Sequence, residues 1–496
     1  MDKPAEPGRW FAFPLTTLYA LIVLNTIAAH EPWRDEAQTW LMGRDATLAE
    51  TFALLPYQGH PALWYLMVRV LVRLGFPYYS MGFLHGLLAV ANAFLVLRFA
   101  PFPRLTRALL VFSFWMFWMY AVEARVYAVG LLLLFLIAWR YPRRHEQPLV
   151  HGLLIFLLFN SNLHMAFLAG ALAAAFGVEI FARKAWTRDR LAALGLMGLG
   201  AVALLWQFHW LQAPADNMYG GVFARINAAE KLPKAVACAF FPGSQPVYEI
   251  LILPALALIA LMFFRLLSRP LAAGFLAAHL AGMGLMLWLT SPLDRHYGLI
   301  LLGAIFALWV GHYEPERSYL QRFRWPDYSR RSQILWCALN VSLLASLVAG
   351  WRVSYQERKY DFSGTKRMAE FILRNNLAGL PIAAHRYAHL SSIAPYFPGK
   401  SFWYIGIGKP ATYVRQDIAH RRANELSNEA ALDLLATQIP AGPPLLLLLD
   451  RPLEHETAGF QLIHWVADTV GGTDEKCWLY LRGPQGPAPA GAIGPR

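Results

Sequence analysis

Charge is scarce in this 496-residue sequence: Asp, Glu, Lys and Arg together make up 15% of it, where soluble domains run nearer a quarter. A shortfall of that size excludes an ordinary soluble chain over most of the length. Acid is the scarcer sign, with 31 Asp and Glu against 44 Lys and Arg and a net charge of +13. The excess cations sit in short loops between apolar runs, so membrane topology accounts for them before nucleic acid does. No RNA- or DNA-binding motif stands against that, and no nucleic-acid partner is expected. The three cysteines, Cys238, Cys337 and Cys477, lack metal-ligand spacing. There is no Walker loop, and the Gly406/Gly408 spacing is too weak to mark a nucleotide site. No small-residue cleavage site follows the first apolar run, which therefore reads as a membrane helix and not as a removed signal peptide.

What the sequence has is hydrophobic length: 57% of its residues are apolar. A helix needs about 20 residues to cross the hydrocarbon. Runs at 11–29, 79–99, 108–122, 126–140, 149–160, 165–182, 191–211, 248–267, 270–290, 297–313 and 333–351 predict a polytopic α-helical membrane protein of about 11 transmembrane helices over residues 1–351. The stretch 61–75 is short and basic, and is expected to lie at the membrane interface. Residues 352–482 have ordinary soluble composition. An amphipathic segment at 363–376 and strand-like runs at 381–386, 444–450 and 477–482 predict a small α/β domain there. The Pro/Gly/Ala-rich tail 483–496 is expected to be disordered.

With the N-terminus in the cytoplasm, alternate loops carry clusters of arginine, as at Arg98, Arg104 and Arg107, or Arg140, Arg143 and Arg144. The opposite loops carry few. That asymmetry predicts a multi-pass protein of the inner membrane. An odd number of spans then places the C-terminal domain outside the cytoplasm, on the side of two long loops, 30–78 and 212–247.

The polar residues that could do chemistry fall on this same side. Loop 30–78 opens HEPWRDEAQTW, with adjacent carboxylates Asp35 and Glu36, either of which could take a proton from an acceptor. YQGHPALWYL follows, with His60, Trp64 and Tyr65 placed to bind a sugar or a prenyl chain. AVEARVYA brings Glu123, Arg125 and Tyr127 to a helix end. Glu123 and Arg125 are two apart and cannot face one another along a helix, so Arg125 is expected to pair with Asp35 or Glu36, or to bind phosphate. FNSNLHMAF interrupts an apolar run with Asn160, Asn162 and His164, of which Asn162 is expected to close a turn. LTSPLDRHYG places Arg295, His296 and Tyr297 at a helix start, where Arg295 and the helix N-terminus suit an anion.

In this order the motifs resemble those of the GT-C membrane glycosyltransferases, among them the protein O-mannosyltransferase and aminoarabinose-transferase relatives and the RgtA/B/C/D-like branch. The DE pair followed by HPALWY is similar to the DE…HPPLYY pattern of that superfamily, with Ala62 in place of its second proline. EARVYA is similar to its S-x-E-x-R-x-Y-A segment, with Ala121 in place of serine. The late DRHY match lacks the usual helix-entry prolines. The resemblance covers roughly residues 10–350. It implies inverting transfer of a hexose or pentose from a polyprenyl-phosphate donor to a glycan, lipid or protein acceptor at the extracytoplasmic face. Asp35 or Glu36 would be the base, Arg125 and Arg295 would neutralise the leaving phosphate, and a metal-independent reaction is favoured over one that uses a divalent cation. A transporter or flippase of prenyl-linked sugars, which should show inverted repeats and midplane charges, and a non-catalytic assembly protein are the rival readings.

Overall fold

Each of the eleven apolar runs forms helix. The computed structural model describes residues 9–208, 215–217, 228–243, 247–289, 294–316, 328–454, 459–471 and 475–483. The expected disordered tail, apart from Gly483 at its start, and part of loop 212–247 lie outside these. The helices are α1 (Arg9–Ala29), α2 (Arg34–Asp45), α3 (Leu48–Gln58), α4 (Leu63–Arg73), α5 (Ser80–Phe99), α6 (Arg104–Val111), α7 (Tyr127–Arg140), α8 (Pro148–Phe159), α9 (Ala166–Ala182), α10 (Arg188–Gln207), α11 (Ala228–Phe240), α12 (Tyr248–Leu266), α13 (Pro270–Leu289), α14 (Gly298–Tyr313) and α15 (Tyr328–Lys359). Among the described residues, eight helical segments are long and apolar enough to cross a membrane. The runs at 126–140 and 149–160 give the shorter α7 and α8, and the run at 108–122 breaks into α6 and a π-helical turn, Trp115–Met119. The stretch 61–75, expected at the membrane interface, forms α4.

Large apolar side chains point outward from these helices, Ile250 and Leu253 on α12 at 72% exposure each. A soluble surface would not carry such a row, whereas lipid accommodates it. The innermost helix is α14, whose residues from Gly298 to Gly311 are all buried. It owes that position to small residues. A Cβ on Gly303 would stand 2.1 Å from His279 Nε2, and one on Gly298 would stand 2.2 Å from the Trp115 ring. Only glycine lets these neighbours approach so closely.

Between α1 and α5 the chain leaves the bundle. Pro32 ends the first helical run, and α2, α3 and α4 follow. The α2 and α4 helices pack on one another. A reciprocal capping box starts α3, with Thr47 Oγ1 accepting from Glu50 N and Glu50 Oε2 accepting from Thr47 N.

The α15 helix runs unbroken to Lys359 and feeds the C-terminal part, which adds α16 (Thr365–Arg374), α17 (Tyr387–Ile393), α18 (Ile418–Asn424) and α19 (Asn428–Gln438). Its strands are β1 (Ile382–Ala384), β2 (Phe402–Tyr404), β3 (Lys409–Ala411), β4 (Leu445–Leu449), β5 (Phe460–Val466) and β6 (Cys477–Arg482). They form one sheet in the order β3-β2-β1-β4-β6-β5. β1 is parallel to both β2 and β4, and the other pairings are antiparallel. All five leucines of β4 are buried, because helices and loops cover both faces of the sheet. The α/β expectation holds.

This domain is joined to the membrane part through α2. Leu41 of α2 sits in the same apolar cluster as Met368, Leu390 and Ile393. The Gln38 amide donates to Val414 O at 2.6 Å and accepts from Val414 N at 3.0 Å. The helix that carries the adjacent carboxylates is thus gripped from both sides.

Candidate active site

Asp35 and Glu36 lie in the first turn of α2, where acidic side chains suit the helix dipole. Being consecutive, they point about 100° apart around the helix, and they meet different partners. Asp35 Oδ2 pairs with Arg125 Nη1 and lies 2.8 Å from Arg295 Nη2, while Oδ1 is 3.8 Å from Arg34 Nε. Burial alone would raise its pKa, but the three guanidinium groups hold the carboxyl well below the usual range. The Arg295 guanidinium also lies over Trp33, 5.4 Å from the ring centroid.

Glu36, 1% exposed, is held by donors on every side. Its Oε2 accepts from Trp33 N at 3.1 Å and contacts His30 Nε2 at 2.9 Å, and its Oε1 accepts from Ala124 N at 2.7 Å. The other nitrogen of His30 lies 2.8 Å from Glu357 Oε1 near the end of α15, and Trp118 Nε1 donates to Glu357 Oε2 at 2.6 Å. Burial acts to lower the His30 pKa, yet the two carboxylates raise it well above the ordinary value, so His30 bridges them as a cation.

Residues 120–126, between the π-helical turn and α7, bring Glu123 and Arg125 to the same place. As their spacing requires, they face different ways. Arg125 turns to Asp35. Glu123 lines a cavity of about 410 Å³ with Trp33, Trp118, Arg295, Phe362 and Gly471. Its carboxyl pKa is pushed up to about 8 by burial and then by the charge of Glu36. A second cavity, about 540 Å³, adjoins the first at Met119 and Asp294. Apolar side chains dominate its wall, including Trp115, Cys238, Val348 and Val353, with Arg352 and Tyr297 among the polar ones.

Below the ion pairs, His60, Tyr127, His164 and His296 form an aromatic cluster. The His164 and His296 rings are 4.3 Å apart, and both stand 6.4 Å from His60. Tyr127 stacks on Tyr120 at 4.7 Å, and Tyr120 OH donates to Arg295 O at 2.7 Å. Burial, followed by the Arg125 charge, keeps the His60 pKa well below the ordinary value. Among the described residues, His60 Nδ1, His164 Nε2 and Tyr127 OH have no hydrogen-bond partner. Gln207 Oε1 accepts from Ala62 N and its amide donates to Asn160 Oδ1, which fixes the His60-Pro61 turn. Asn162 caps its own turn by accepting from His164 N.

The structure therefore brings Asp35, Glu36, Glu123, Arg125 and Arg295 together, with His60, Tyr127, His164 and His296 beside them. Tyr297 lines the neighbouring cavity. Tyr65 packs with Met42, Leu54 and Leu55, and its hydroxyl lies within electrostatic reach of Arg125, Asp35 and Arg295. Sequence reasoning missed His30, Trp33, Trp118, Glu357, Phe362 and Gly471. His30 and Trp33 border the DE pair and could have been found by proximity. Glu357 and Gly471 carried no local signal. Among the described residues, no group of three or more His, Cys, Asp or Glu is placed to hold a metal ion.

A scan against protein-family models finds no match, and a search of curated proteins finds none either. Among solved structures, the chain is similar to ArnT from Cupriavidus metallidurans, a crystal structure bound to undecaprenyl phosphate. The TM-score is 0.51 at 11% identity, over 99% of this chain and 100% of that one. The chain has the GT-C fold. The likeness spans the helical bundle and the sheet domain alike, so both halves of the sequence-based fold class are shown together.

Proposed function

We propose that this protein is a glycosyltransferase of the inner membrane that takes one sugar from a polyprenyl-phosphate carrier and passes it, with inversion, to a glycan, lipid or protein acceptor at the extracytoplasmic face. The observation that carries this reading is the junction of two unlike cavities. One holds a carboxyl group, aromatic rings and Arg295, beside the Asp35–Arg125 pair. The other is mostly apolar and bounded by membrane helices. A phosphate at the junction would have its reactive end on the charged side and its prenyl chain on the apolar side. Arg125 and Arg295 carry fixed charge in a poorly hydrated place, where it best offsets charge growing on a leaving phosphate, so the chemistry asks nothing further of a metal. The ArnT neighbour holds undecaprenyl phosphate, a ligand of the class proposed here.

The test is a transfer assay with purified protein in nanodiscs. It uses tritiated undecaprenyl-phosphate pentoses and hexoses as donors and a detergent extract of cell envelope as acceptor. Label should move from the donor into the acceptor fraction. Label that instead crosses a liposome bilayer still attached to its lipid would replace the transferase reading with a flippase.

A further inference from the structure

Glu123 and Asp294 line the charged cavity, Asp35 and Glu36 stand beside it, and a transferase of the kind proposed above needs one of these carboxyls as its base. Asp294 pairs with Lys234 at 3.5 Å. Asp35 is bound by two guanidinium groups, and Glu36 by two backbone N–H groups and His30. Both are engaged as acceptors, and a carboxylate so engaged is a poor proton acceptor. Glu123 differs. It is 4% exposed, it lines the cavity, and among the described residues no hydrogen bond or ion pair reaches its side chain. It stands among Trp33, Trp118 and Phe362, surfaces on which a sugar ring can stack.

We propose that Glu123, and not Asp35 or Glu36, takes the proton from the acceptor, and that Asp35 is a positioning residue that aims Arg125 and Arg295 at the phosphate. In the step, the acceptor oxygen bonds to the anomeric carbon as its O–H proton passes to the Glu123 carboxylate. The bond from that carbon to the phosphate oxygen breaks, and its electron pair leaves with the lipid phosphate beside the arginines. No oxidant, reductant or further reactant is involved. Burial and the Glu36 charge push the Glu123 pKa up to about 8, which makes its carboxylate a stronger base than Asp35 near neutral pH. Asp35 is placed at the opposite extreme by its arginines.

This inference rests on the transferase reading, and the experiment separates the two. Wild type, E123Q, E123A and D35N are compared on the tritiated undecaprenyl-phosphate sugar that wild type uses. Binding of undecaprenyl phosphate is followed in parallel by quenching of tryptophan fluorescence, since Trp33 and Trp118 line the cavity. E123Q should lose about 10²- to 10⁴-fold in kcat, the usual span for a lost general base, with lipid affinity within about 3-fold of wild type. Formate should restore part of the activity of E123A. Wild-type kcat/KM should climb with pH and level off above about 8, and D35N should keep that limb at a lower rate.

An active wild type with an equally active E123Q overturns the assignment, as does an E123Q whose loss lies wholly in lipid affinity. A D35N that loses the pH limb returns the base to Asp35. A wild type that binds undecaprenyl phosphate yet releases sugar from none of the donors overturns the transferase reading itself.

Discussion

Asp35 and His30 are the two residues on which the charge arrangement turns, and each is a buried hub. Replacing Asp35 with Asn leaves Arg125 and Arg295 facing one another with no anion between them, in a place where the Asp35 side chain is only 11% exposed. Breaking a buried pair in this way costs about 3–5 kcal/mol, so D35N should unfold several degrees below wild type in detergent and transfer sugar more slowly. A normal melting temperature with full activity would remove Asp35 from the site. The H30Q variant should be destabilised by a similar amount, about 3–5 kcal/mol, because it leaves the Glu36 and Glu357 carboxylates uncompensated. His30 also predicts a pH dependence. Its folded pKa is raised above the ordinary 6.5, so its stabilising contribution is complete below about pH 6.5 and fades as pH rises through the higher folded value. Thermal melts of wild type at stepwise pH should show that decline, and those of H30Q should not. The motif residues Asp35, Arg125 and Arg295 could be read from the sequence. Glu357 could not, because it lies 327 positions from His30 and looks there like one more charge at the end of a helix.

At the scale of elements, packing of α14 rests on glycines whose missing side chains are occupied by neighbours. G303A would drive a methyl into His279, whose Nε2 bonds Leu299 O at 2.8 Å. Overpacking of that kind costs about 1–3 kcal/mol. G274A is the control, since a Cβ there meets nothing within 4 Å and should leave the melting temperature unchanged. Equal melting temperatures for the two variants would refute the close approach. Elements differed in how far the sequence disclosed them. β1, β4 and β6 could be read because a strand buried on both faces is a continuous apolar run. β2 and β3 have three residues each, and β3 contains Pro410, so neither has a period to detect. The run at 108–122 looked like a single span, but the bond from Tyr120 N to Trp115 O widens the turn into a π-helix. Nothing in its apolar composition marks that break.

For the whole molecule the question is how firmly the sheet domain is held to the bundle. Glu31, just after α1, accepts from Ser363 N at 3.3 Å and faces Asp361, which pairs with Arg367 at 2.8 Å. Burial and then Asp361 push the Glu31 pKa up to about 7, so Glu31 is protonated in the folded protein over a range where the unfolded chain is ionised. Stability from this contact is complete below about pH 4.5 and is lost as pH rises through about 7. Hydrogen exchange at 361–365, corrected for intrinsic rate, should therefore accelerate between pH 5 and pH 8. E31Q should suppress the acceleration and gain stability at pH 8 on the order of 1–3 kcal/mol. Protection that does not change with pH would show that the carboxyl pair does not govern the contact.

The sequence by itself determined that the chain is a helical membrane protein followed by an α/β domain, because apolar length and buried-strand runs are local properties. It also determined which polar residues were candidates, because charge beside a membrane span is costly and stands out against an apolar background. Only the tertiary structure decided what each of those residues does. Asp35 and Glu36 are neighbours of equal chemistry in the chain, yet one faces two arginines and the other a histidine and two backbone amides, while Glu123 faces a cavity. Those differences arise from contacts made across scores to hundreds of positions by helices whose packing no local pattern records.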